Sequence, residues 1–145
     1  MREILFRGKE IDTKQWIDGS LITEGPLGEF VRIFPCSLYL TESLTQFHYV
    51  IPETVGQYIG RKDKNDNLIF EADIVKFTSS PFKLSSIGVV CFHDGSYYIK
   101  YLSYGVESFH QIGKPDEQND MGAIYIVTYE YEIIGNIHDN PELLF

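Results

Sequence analysis

The chain has 145 residues, a formal net charge of −9 and an aromatic content of 14%. With 43% hydrophobic residues in all, this composition excludes disorder, and the length suits one ordinary domain or a domain with a smaller appendage. Ile, Val and Thr number 32 against two alanines, Ala72 and Ala123, a balance that favours strands over helices.

In chain order, Arg2–Gly8 alternates as an opening strand, and Gln15–Ile22 reads as the next. Glu29–Phe34 follows after the turn Gly25-Pro26-Leu27-Gly28. Ser37–Phe47 fits either a loop or one or two helical turns. Beyond Pro52, Glu53–Gly60 is short and extended, and the polar run Arg61–Asn67 is an exposed turn. Leu68–Phe77 resumes the alternation, and Thr78–Ser86 reads as a loop around Pro81. Gly88–His93 and Ser96–Leu102 flank Asp94-Gly95, which supplies the positive φ angles of a tight hairpin turn. A second loop is expected over Gly113–Gly122, then strands at Ile124–Tyr129 and Tyr131–Ile137 and a turn at Asn140–Leu144. Closely spaced strands from about Gln57 onward suggest a small barrel. The expected fold is mainly β, α+β at most. A small N-terminal β-sheet region over residues 1–52 would pack on a C-terminal SH3-like barrel over 53–145.

Arg2, Glu3, Arg7 and Lys9 break up the first nine residues, so no secretory leader is expected. Uncharged runs such as Leu84–His93 fall far short of the ~20 residues of a spanning helix. A cytoplasmic protein without a membrane segment is the expectation, with Cys36 and Cys91 as unpaired, buried thiols.

Charge is uneven. Residues 1–100 hold 11 basic and 13 acidic groups, whereas 101–145 hold Lys114 against eight acids. Such a surface repels phosphate backbones, so direct nucleic-acid binding is not expected. It could instead solubilise the chain, or imitate DNA in a partner's basic groove. In Glu130-Tyr131-Glu132 the two glutamates share one face of a strand and the tyrosine takes the other.

Candidate catalytic and metal sites fail on spacing. Asp63, Asn65, Asn67, Ile69 and Glu71 alternate like calcium-loop ligands, but Leu68 and Ile74 stand where the loop needs glycine and glutamate. His48, His93, His110 and His138 show no ligand spacing. No nucleophile elbow, phosphate loop or cofactor fingerprint occurs, so no catalytic residue, metal or cofactor is assigned. Tyr97, Tyr98, Tyr101, Tyr104 and Phe109 lie close in sequence, as do aromatics with which small barrels grip a ligand.

Four stretches carry a resemblance: Arg2–Arg7; Pro52–Tyr58; Lys62-Asp63-Lys64-Asn65 with Ile69-Phe70-Glu71-x-Asp73-Ile74-Val75; and Glu132-x-Ile134-Gly135-Asn136-Ile137 with Asn140–Leu144. Together they resemble the YopX family of bacteriophage and prophage proteins. Two departures stand out. Ala72 occupies a position where that family usually has glycine, and Asn65-Asp66-Asn67 replaces its Asn-Gly turn. The resemblance implies a largely β protein of phage or prophage origin, of unassigned biochemical function, and brings no catalytic residues.

The function expected is a phage-encoded accessory protein that binds an unknown protein partner, host or phage, without catalysis. Tyr97, Tyr101, Tyr104, Glu130 and Glu132 are its candidate interaction surface, and homo-oligomers fit the β-rich, aromatic composition. The alternative is an acidic DNA mimic that inhibits a host nucleic-acid enzyme; an unrecognised hydrolase ranks third.

Overall fold

The computed structural model describes residues 1–35, 46–113, 116–120 and 123–144. Cys36 and almost all of the ambiguous segment 37–47 lie outside the described residues. The fold is mainly β, as the composition predicts. Among the described residues, helix is confined to two 3-10 turns, Pro52–Thr54 and Pro141–Leu144. The chain forms two compact units, Met1–Gly60 and Arg61–Phe145.

The first unit is an antiparallel sheet. It contains β1 (Phe6–Lys9), β2 (Trp16–Glu24), β3 (Phe30–Pro35), β4 (His48–Tyr49) and the start of β5 (Gly56–Lys62), in the order β4-β3-β2-β1-β5. Val31, Ile33 and Val50 form its buried centre, with Ile17, Leu21 and Val55 packed on them. The expected turn at Gly25–Gly28 is present, closed by Gly28 N donating to the Gly25 carbonyl at 3.2 Å. β5 joins this sheet because Phe6 and Arg7 of β1 pair with Gln57 and Gly56. The division therefore falls at Gly60, not at the expected residue 52. Thr54 secures the approach: its hydroxyl accepts from Lys9 N at 2.9 Å and donates to the Ile51 carbonyl at 2.7 Å.

The second unit opens with the end of β5 and the turn after it, then β6 (Leu68–Phe70). β7 (Asp73–Ser80), β8 (Ser85–His93), β9 (Ser96–Ser103), β10 (Val106–Gln111), β11 (Asp116–Asp120) and β12 (Ala123–Asn136) make an antiparallel sheet. Its order is β10-β9-β8-β7-β12-β11. The strands expected of the SH3-like barrel are present, in a linear order among the described residues. The sheet nevertheless curls. β7 and β10 are three strands apart, about 14 Å in a flat sheet, yet the rings of Phe77 and His110 stack at 4.8 Å.

Besides β10, where no strand was expected, three segments differ from expectation. Residues 78–86 are mostly strand, because Ser79 N bonds the Leu84 carbonyl at 2.8 Å and Thr78 pairs with Ser85. Asp116–Asp120 pairs with Ala123–Val127 as strand rather than loop. Residues 123–136 run as one strand, interrupted only by a bulge between Ile133 and Gly135.

Candidate functional site

The polar residues of the second unit's sequence motifs are occupied by structural work. The Asp63 carboxylate accepts from Asn65 N and Asn67 N, each at 2.9 Å, and from Ile133 N at 3.1 Å. Burial alone would raise its pKa, but the backbone donors from Ile133, Asn67 and Asn65 outweigh burial and hold it below the ordinary aspartate value. Lys64 N donates to the Tyr131 carbonyl, so this turn is tied to β12 at two points. Asp73, 1% exposed, accepts from Phe70 N at 2.8 Å. Between them Ala72 sits at φ +69°, its N–H donating to the Val90 carbonyl and its own carbonyl accepting from Ile137 N. At the C-terminal end, Asn136 Oδ1 accepts from His138 N and Asp139 N at 3.0 Å. A side chain at Gly135 would strike Asn140, whose Cβ lies 3.0 Å from the place a Gly135 Cβ would occupy. Here glycine admits the asparagine that turns the chain back.

Register assigns the remaining side chains to two faces of the curled sheet, because opposed residues share a face. On the inner face lie Phe77, Tyr101, His110, Tyr129 and Tyr131, with Ile99 and Val90 fully buried. His110 stacks on Phe77 and tilts against Tyr129 at 4.1 Å, and its Nε2 lies 2.9 Å from the Tyr131 hydroxyl. That hydroxyl also accepts from Gly113 N at 3.3 Å. The Arg61 guanidinium covers the Tyr131 ring at 5.0 Å.

The outer face is less covered. Ile87, Val89, Lys100, Leu102, Glu107 and the returning Leu143 and Leu144 line a groove of about 640 Å³ there, which Tyr101, between Lys100 and Leu102, also borders. Leu102 is 68% exposed beside it. Chemically the groove is an apolar trough with one ion pair, Lys100 Nζ to Glu107, at its side. That hydrogen bond raises the Lys100 pKa. Cys91 shares this face, and burial raises its thiol pKa, which disfavours the reactive thiolate.

The five surface residues expected from sequence do not form one patch. Tyr97 is half-buried against Phe92, and Tyr101 is half-buried edge-on to Phe77, both on the inner face. Tyr104 stands fully exposed at the β9–β10 turn. Glu130 and Glu132 do share the outer face, as alternation predicted, but both reach Lys64 Nζ, at 3.9 and 2.9 Å. The hydrogen bond to Glu132 raises the Lys64 pKa. Among the described residues no group of three or more His, Cys, Asp and Glu is placed to hold a metal. Likewise, no helix among them is long and apolar enough to cross a membrane. Sequence reasoning missed Leu143 and Leu144 as groove residues. Their apolar character after Asn140-Pro141 was the available signal.

Comparison with curated proteins gives no match. The family model described as YopX protein matches residues 5–145, a span that includes the Thr54 clamp, the Asp63 and Asp73 turns and the Gly135–Asn140 return. The chain therefore belongs to the YopX family.

Proposed function

We propose that this is a cytoplasmic, phage- or prophage-encoded accessory protein that acts by holding another protein, of host or phage, without chemistry of its own. The observation that carries this reading is the outer-face groove, where Leu102, Leu143 and Leu144 offer an apolar anchor site beside a single ion pair. Binding energy concentrates in such small, desolvated anchors. A DNA mimic needs uncompensated acids in a dense array, whereas Glu130 and Glu132 converge on Lys64 and Glu107 is bonded by Lys100.

The test is capture of a partner from infected cells by the parent and by variants. Leu102→Glu is expected to abolish capture, and Tyr104→Ala to weaken it. The pair Glu130→Gln and Glu132→Gln is expected to change it less than either, and raised salt to leave it largely intact. If the glutamine pair abolishes capture, and salt does the same to the parent, the acidic-mimic reading replaces this one, because screening weakens exposed charge contacts.

A further inference from the structure

The β9–β10 hairpin determines which main-chain groups of β10 point outward. Opposed residues in an antiparallel pair alternate between those that exchange N–H···O bonds and those that do not. Ile112 N donates to the Tyr97 carbonyl at 3.2 Å. Counting back from that bond, His110 with Ile99, Ser108 with Tyr101 and Val106 with Ser103 are the bonded pairs. Glu107, Phe109 and Gln111 therefore turn their N–H and C=O groups away from β9. β10 stands at the end of the sheet order. It contains no proline and no lysine, its register with β9 has no bulge, and its one charge, Glu107, is bonded by Lys100. It thus lacks the proline, lysine, bulge and free charge with which edge strands usually block further pairing. Val106 and Phe109 are also 64% and 47% exposed.

We propose that β10 pairs with β10 of a second copy of this chain, antiparallel, about a two-fold axis through Phe109. The choice of occupant rests on self-complementarity. Ladder bonds require outward-facing residues to oppose outward-facing residues. An axis at Phe109 achieves this for all three, setting Glu107 against the partner's Gln111, Phe109 against the partner's Phe109, and Gln111 against the partner's Glu107. Each pair exchanges two main-chain bonds. The side chains agree: a carboxylate meets an amide donor at both ends, and two phenyl rings meet at the centre. An axis at Glu107 would oppose two carboxylates, and an axis at Ser108 or His110 would leave one outward residue unpaired. The contact is isologous, so it closes as a dimer and leaves no β10 edge to propagate.

This names a surface and register for self-association, and it is separable from partner capture because its test variants lie at Phe109 and Gln111, neither of which lines the groove. Sedimentation velocity of the full chain from about 1 µM to about 1 mM is the experiment, a range that brackets a weak strand-pairing dimer. The parent is expected to shift from monomer to dimer within it. Phe109→Pro removes an outward N–H that β9 does not use and is expected to stay monomeric. Gln111→Glu opposes like charges and is expected to weaken the dimer about tenfold or more, and Gln111→Lys to tighten it about tenfold. The same charge changes placed at exposed Thr23 are expected to leave the dimer within about twofold of the parent. If Phe109→Pro fails to fold, the two Gln111 variants decide. A parent that stays monomeric throughout overturns the proposal. So does a dimer indifferent to the Gln111 changes, or one that responds equally to those at Thr23.

Discussion

At the scale of single residues, the second unit accommodates two departures from glycine. Ala72 and Asp66 stand at φ +69° and +64°, a region that costs a side chain roughly 1–2 kcal/mol. Glycine at Ala72 would relieve that cost and give back about 0.5–1 kcal/mol through the freedom of the unfolded chain. Ala72→Gly is therefore expected to stabilise by about 0.5 kcal/mol, read as a rise of a few degrees in melting temperature. A fall would refute it. Asp63 makes an opposite, pH-dependent prediction. Its carboxyl is depressed in the fold, so it adds stability that is fully present above the unfolded aspartate value, about 3.9. This stability is lost as pH falls through the lower folded value. Asp63→Asn should cost about 1–3 kcal/mol near neutrality, and the gap between parent and variant should close in acid. Melting curves at pH 7 and pH 3 check it, and a gap as wide at pH 3 as at pH 7 would show that charge is not the cause.

At the scale of elements, local chemistry was readable and long-range placement was not. The Asp94-Gly95 hairpin was legible because its residues suit φ +46° and +79°. The Tyr104-Gly105 turn has nearly the same angles, +51° and +78°, but tyrosine gives no such signal, and β10 was missed with it. β10 also lacks alternation: Val106, Ser108 and His110 share one face, Glu107, Phe109 and Gln111 the other. β11 is polar throughout, so only its pairing with β12 makes it a strand. At the candidate site, the shared face of Glu130 and Glu132 followed from period two. That Tyr97 and Tyr101 face inward depends on Ile99 being the buried residue of β9, a fact of tertiary packing. Leu143 and Leu144 reach the groove only because the Gly135–Asn140 return aims them there.

At the scale of the whole molecule, far-UV circular dichroism is expected to be dominated by β signal. A helical fraction near the globular average of about a third would contradict the architecture. The charge asymmetry along the sequence is tempered in the fold. The ion pairs that hold Glu107, Glu130 and Glu132 use Lys64 and Lys100, both from the first hundred residues. The bulge in β12 has a consequence for how the gene can change. Ile133 opposes Val75 and Gly135 opposes Ile74, so Ile134 is a supernumerary residue that resets the parity of everything after it. Removing that one codon would leave the pairs in place, Gly135 still opposite Ile74 and Asn136 still opposite Asp73, and would only straighten the strand. Codons can be gained and lost at the loop tips, and Ile134 is a position inside β12 where one can be lost without sliding the register, whereas a codon lost at a paired position of β12 would shift every later pair by one residue.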